Sequence, residues 1–103
     1  MFSIVYITAG DLEEAKRIGR NLVEERLAAC VNIFPVSSIY RWDNKVEESN
    51  EFGVIVKTRT AKVGQVEKRV KELHSYDVPC VISFKMDHGS KDYLNWIKES
   101  VDD

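Results

Sequence analysis

Cysteine is too sparse to hold this chain together. Cys30 and Cys80 stand alone, far apart and without CxxC spacing, so no disulfide framework is available and a reduced, cytoplasmic setting is expected. No stretch approaches the run of about 18 apolar residues that a membrane span needs. The first residues, Met1-Phe2-Ser3-Ile4-Val5-Tyr6, have neither a basic n-region nor an A-x-A-like cleavage site, so no signal peptide is expected. An excess of one charge is also missing. The net charge of −2 offers no footprint for nucleic acid or an anionic membrane. There is no P-loop, GxGxxG, GxSxG or HExxH, and no His/Cys group has the spacing of a preformed zinc site. Repeats and low-complexity segments are absent. What remains is 44% apolar and 31% charged, the profile of one ordinary globular domain over residues 1–103.

The dominant stretch is residues 31–59, which reads as two long strands joined by a tight turn. Asp43-Asn44 is the expected tip, because both residues tolerate positive φ. Each arm is about a dozen residues, or roughly 40 Å at about 3.3 Å per residue. A domain of this size has a radius of gyration of only about 13 Å. The hairpin should therefore overhang its own core. Tyr40 and Trp42 lie near its tip and are costly to leave in water, so a neighbouring subunit is expected to cover them.

Phe2 to Thr8, with Ile4-Val5-Tyr6-Ile7 unbroken, suits a strand buried on both faces. Asp11 opens D-L-E-E, an N-cap with Glu14 at the capping-box position. Leu12, Ala15, Ile18, Leu22 and Val23 then form a helical stripe running to about Arg26. Val54-Ile55-Val56 marks the second hairpin arm as central. Thr60 is the expected cap of the next helix, whose inner stripe is Val63, Val66, Val70 and Leu73. His74-Ser75-Tyr76-Asp77 is a loop. Pro79 opens a strand in which Cys80, Ile82, Phe84 and Met86 alternate as the inward set. Ser90 caps a last helix with Tyr93, Leu94, Ile97 and Val101 inward. The order β-α-β-β-α-β plus a terminal helix predicts an α+β, ferredoxin-like fold: an antiparallel sheet, helices on one face, first and third strands central. The open face must be polar or covered, and covering by other copies with closed symmetry is expected.

Several residues can carry chemistry. His74, where a helix ends, either caps the last carbonyls or serves as a ligand or proton-transfer group near Tyr76 and Asp77. Cys30 is either a small buried hydrophobe or a site thiol. Cys80 reads as core and His88 as a solvated loop residue. Lys57 follows an apolar run on a central strand. It either reaches solvent or binds an anion, with Glu51 and Asp77 as candidate partners. Trp42 and Trp96 read as aromatic anchors.

Glu25-Arg26-Leu27-Ala28-Ala29-Cys30-Val31-Asn32, Ser38-Ile39-Tyr40-Arg41-Trp42, Glu51 with Lys57-Thr58, Leu73-His74-Ser75-Tyr76-Asp77-Val78-Pro79 and Tyr93-Leu94-Asn95-Trp96 together resemble the CutA divalent-cation-tolerance family across the whole chain. The resemblance implies a ferredoxin-like subunit with a long hairpin and an extra C-terminal helix, in a homotrimer related to the PII signalling proteins. It implies a cytoplasmic binding protein of the divalent-metal response, copper included, and no catalytic activity. Its inter-subunit cleft would draw on Cys30, Tyr40, Trp42, Glu51, Lys57, Tyr76, Tyr93 and Trp96, with His74 as the metal residue. The ligand would be copper or another divalent cation, weakly bound, with no organic cofactor. The alternative is a small-molecule or anion sensor, or a scaffolding trimer, linked to metals only indirectly. This chain departs from the pattern at Ile7, where some members have a cysteine, at Leu73, where they have a first histidine, and at Ser75, where proline is usual.

Overall fold

The computed structural model describes residues 1–102. The elements are β1 (Phe2–Ala9), α1 (Leu12–Glu24), β2 (Cys30–Trp42), β3 (Lys45–Arg59), a 3-10 turn (Thr60–Lys62), α2 (Val63–Leu73), β4 (Val81–Lys85) and α3 (Lys91–Ser100). The four strands form an antiparallel sheet in the order β2-β3-β1-β4. This is the expected ferredoxin-like βαββαβ arrangement with an added terminal helix, and β1 and β3 are central as the two apolar runs predict.

The core lies between the sheet and helices α1 and α2. Val5 and Ile7 from β1, Val54 and Val56 from β3, Ile18 and Leu22 from α1, and Val66 and Val70 from α2 are all fully buried. Each such side chain stabilises the fold by about 1.5–3 kcal/mol. Gly19 lets α1 approach β2 closely, since a Cβ there would lie 2.6 Å from Cγ2 of Val31. Asp11 caps α1, its Oδ1 accepting from the Glu14 N–H at 2.7 Å.

Four local expectations need correction. β1 is not buried on both faces: Ser3, Val5, Ile7 and Ala9 are buried, while Ile4, Tyr6 and Thr8 are only partly covered. The helices α1 and α2 shield one face alone. On β4 the inward set is reversed. Val81 packs on the core, whereas Ile82 and Phe84 are 50% and 55% exposed on the other face, beside Ile4 and Tyr6. Thr60 does not cap α2. It lies in the 3-10 turn, its hydroxyl 2.7 Å from that of Ser3, and α2 begins after Lys62 without a side-chain cap. Tyr93 does not point inward. It remains 39% exposed, while Ile97 and Val101 are buried with Ala29 and packed by Phe2, Met86 and Leu94. Phe2 shares its side of β1 with Ile4 and Tyr6. The terminal helix therefore covers one end of the face opposite α1 and α2.

The hairpin turns at Asp43 and Asn44, with φ of 51° and 63°, and Trp42 pairs with Lys45. Positive φ at both central residues makes this the mirror-image turn whose twist matches paired strands. β1 accompanies β3 only as far as the Ala9–Phe52 pair. Outward from the Val36–Glu51 pair the ribbon is two strands wide. The molecule accordingly measures 44 × 25 × 21 Å, with a radius of gyration of 14.1 Å, as the overhang requires.

Candidate functional site

At the root of the ribbon, the loop after α2 closes against β1 and β3. α2 ends at His74, whose extended backbone (ψ 144°) leaves the helix while its N–H still bonds the Val70 carbonyl at 2.8 Å. The His74 side chain is fully buried. Its Nε2 donates to the Thr8 carbonyl at 2.7 Å, and its Nδ1 accepts from the Tyr76 N–H at 3.1 Å. A carbonyl can only accept, so the imidazole is the neutral Nε2–H tautomer. Both ring nitrogens are then engaged, and a metal could bind only by displacing one of these bonds. The ring serves β1 and its own loop rather than the last carbonyls of α2.

Glu14 anchors the same loop from the other side. Its Oε1 accepts from the Gly10 N–H at 3.2 Å and its Oε2 from the Ser75 N–H at 2.8 Å, with His74 Nδ1 at 3.8 Å. Burial alone would raise its pKa. The hydrogen bonds from Ser75 and Gly10 outweigh burial and hold the carboxyl below its usual 4.5. The capping-box acid thus reaches past Asp11 to Gly10 and on to a loop remote in sequence.

With the loop pinned, Tyr76 reaches across to β3 and its hydroxyl donates to Glu51 Oε2 at 2.8 Å. Glu51 is only 8% exposed. Burial and the Glu51 carboxylate together push the Tyr76 hydroxyl well above the usual tyrosine range. Burial and the same charge also raise the Cys80 thiol. Both groups are held neutral around one carboxylate. Cys80, expected in the core, is half-buried at this cleft instead. Tyr40 and Trp42 from the ribbon and Tyr6 from β1 complete a cleft of about 890 Å³.

The other expected site residues lie elsewhere. Lys57 is six positions further along β3 than Glu51, about 20 Å at about 3.3 Å per residue. Its Nζ sits 5.4 Å from the centre of the Tyr93 ring, so neither Glu51 nor Asp77 is its partner. Tyr93 in turn packs on Trp96, with ring centres 5.4 Å apart. Cys30 pairs with Lys57 in the strand register, and its Sγ lies 3.9 Å from Asn32 Oδ1. One chain therefore carries two groups: Glu51, His74 and Tyr76 at the ribbon root with Tyr40 and Trp42 further out along the ribbon, and Cys30, Lys57, Tyr93 and Trp96 at the opposite end of the sheet. Sequence reasoning missed Tyr6, Thr8 and the role of Glu14. The alternation on β1 puts Tyr6 and Thr8 on one side together, but Thr8 acts through its carbonyl, which no side chain announces.

The donors do not fit a tightly held divalent ion within one chain. Among the described residues no group of three or more His, Cys, Asp or Glu side chains could hold one. Nor is any helix among them long and apolar enough to cross a membrane.

A sequence model of the family described as CutA1 divalent ion tolerance protein matches residues 3–100. The divalent-cation tolerance protein CutA of Archaeoglobus fulgidus is 48% identical over 102 residues, covering 99% of this chain and 100% of the relative. That of Thermus thermophilus is 45% identical, covering 98% and 99%. Among solved structures, the A. fulgidus protein, described as periplasmic, superposes with a TM-score of 0.97 over 99% of this chain and 100% of its own. CutA1 of Pyrococcus horikoshii, 40% identical, gives 0.95 over 98% and 99%.

Proposed function

Since the chain belongs to the CutA1 divalent ion tolerance family, we propose that it is a self-assembling binding protein of the divalent-cation response, in which the Glu51 cleft holds a positively charged ligand. The observation that carries this reading is Glu51 itself. It is a carboxylate on a central strand, 8% exposed, among aromatic walls and neutral donors. No lysine, arginine or histidine among the described residues forms an ion pair with it. A buried charge without a counter-charge is unfavourable, and a cation entering the cleft relieves that cost.

Self-assembly as a trimer is supported by the sheet face away from α1 and α2. Ile4, Tyr6, Phe34, Ile55, Ile82 and Phe84 lie there, and α3 covers only one end of it. A contiguous apolar surface of this kind needs a partner. A neighbouring copy would cover it together with the overhanging ribbon. One chain gives a metal ion a single well-placed carboxylate, so further ligands would have to come from water or another copy. The reading is a binding protein rather than an enzyme: Cys30 faces an amide and no base, and the Cys80 thiol keeps its proton because burial and the Glu51 charge raise its pKa. The two free cysteines favour the cytoplasm. Cell fractionation decides this against the periplasmic description of the A. fulgidus relative.

Sedimentation velocity at micromolar concentration should return a three-copy species. Calorimetric titration with Cu(II), Zn(II) and small organic cations should give a saturable response in at least one arm, lost in Glu51→Gln. A folded single-copy species, or responses indifferent to that substitution, would remove the cleft from the function.

A further inference from the structure

We infer that His74 is a positioning residue for the loop that carries Tyr76, and that this protein holds no divalent ion through its imidazole. The likeness to CutA proteins implies His74 as a metal residue, and its surroundings do not fit that role. The inference concerns this side chain alone and stands whichever cation Glu51 meets. Nor does it depend on how copies assemble, because the side chain is already fully buried within one chain.

Strand lengths explain why the ring sits there. β4 pairs with β1 only from Ser3 to Ile7. One residue further along β1, the Thr8 carbonyl has no β4 residue opposite it, and the His74 Nε2–H donates to it at 2.7 Å. Nδ1 accepts from the Tyr76 N–H at 3.1 Å, so the ring bridges β1 and the loop. Tyr76 then reaches Glu51. A metal ion on either nitrogen would strand the Thr8 carbonyl or the Tyr76 N–H, and a backbone group buried without a partner is unfavourable.

A second ligand is close but engaged. Glu14 Oε2 lies 3.8 Å from Nδ1, a spacing that one ion could bridge. The Ser75 N–H already points at that oxygen, at 2.8 Å, and the Tyr76 N–H at that nitrogen. A cation between the two atoms would face the positive ends of both donors. Ile7 is fully buried and Leu73 packs against the core. The two positions where other members have a cysteine and a first histidine therefore supply no donor.

The chain has two histidines, and His88 is exposed between β4 and α3. His88→Ala therefore leaves His74 as the sole imidazole. Long-range proton–nitrogen correlation spectra of this variant should show the neutral Nε2–H tautomer, with ring signals that stay fixed as ZnCl2 is added. Pulsed electron paramagnetic resonance with Cu(II) should detect no imidazole nitrogen. The positioning role is read separately. His74→Asn keeps an acceptor near the Nδ1 position, and His74→Gln keeps a donor near Nε2. The Tyr76 amide should exchange with solvent about tenfold faster in His74→Gln than in His74→Asn. The Ser75 amide, held by Glu14, should keep one rate in both. Ring signals that move with ZnCl2, an imidazole nitrogen on copper or an Nδ1–H tautomer overturns the inference. Equal Tyr76 exchange in the two folded variants overturns the positioning role. If either variant fails to fold, the His88→Ala spectra still decide the metal question, and an Nδ1–H tautomer there overturns the positioning role as well.

Discussion

Tyr76 and Glu51 join across 2.8 Å, a phenol on a loop donating to a carboxylate on a central strand. The bond links the end of α2 to the root of the ribbon. Tyr76→Phe removes the donor and leaves the buried carboxylate without it. It should cost about 1–2 kcal/mol, read as a lower denaturant midpoint. An unchanged midpoint would mean that the bond contributes nothing net.

The same pair sets an alkaline limit. In the folded protein Tyr76 holds its proton above the ordinary value of 10.0, so the folded state binds that proton more tightly than the unfolded chain does. The stabilisation is complete below pH 10 and is lost as pH rises beyond it. Melting temperature should therefore fall more steeply between pH 9.5 and about 11 in the wild type than in Tyr76→Phe. Parallel curves for the two proteins would contradict this.

Glu14 sets the opposite limit. Its pKa is depressed, so the unfolded chain holds this proton more tightly. The contribution is present above pH 4.5 and is lost as pH falls through the folded value. Glu14→Gln should cost about 2 kcal/mol near neutrality, because the Gly10 and Ser75 N–H groups lose a charged acceptor. It should also flatten the acid limb of the stability curve. A variant as acid-sensitive as the wild type would locate the titration elsewhere.

Gly53 lies beneath the Phe34 ring, which also stacks on Tyr6 with centres 6.4 Å apart. A Cβ at Gly53 would lie 2.6 Å from Cζ of Phe34, so Gly53→Ala should destabilise by about 1–3 kcal/mol. Adding Phe34→Leu should recover part of that loss. Strict additivity in this double-mutant cycle would show that the two positions do not interact.

Phe84 is 55% exposed on the face assigned to assembly. Phe84→Glu should leave the circular dichroism spectrum intact while shifting sedimentation toward a single-copy species. An unchanged sedimentation coefficient would exclude this part of the face from the interface.

Much of the frame is legible in the residues. Asp43-Asn44 announces the turn, Asp11 and Ser90 announce their helices, and the two unbroken apolar runs mark the central strands. The reversal on β4 has a physical cause. Alternation tells which side chains share a face, but not which face is the core. Here Ile82 and Phe84 belong to a second apolar surface, so the assumption that apolar means inward fails. The site was half legible. Glu51, Tyr40, Trp42 and Tyr76 do converge, but Lys57 and Tyr93 sit at the far end of the sheet, a separation set by register rather than composition. The part played by Glu14 depends on a contact with Ser75, which no local pattern encodes.

The two-strand width of the ribbon bears on how the protein comes apart. Isolated strand pairs are marginal in water, and the outer rungs have no third strand beside them. Heat should fray the molecule from Asp43 inward, with Trp42 sensing disorder before Trp96 does. Single-tryptophan variants would register this as two separated transitions, whereas coincident curves would mean the tip melts only with the whole.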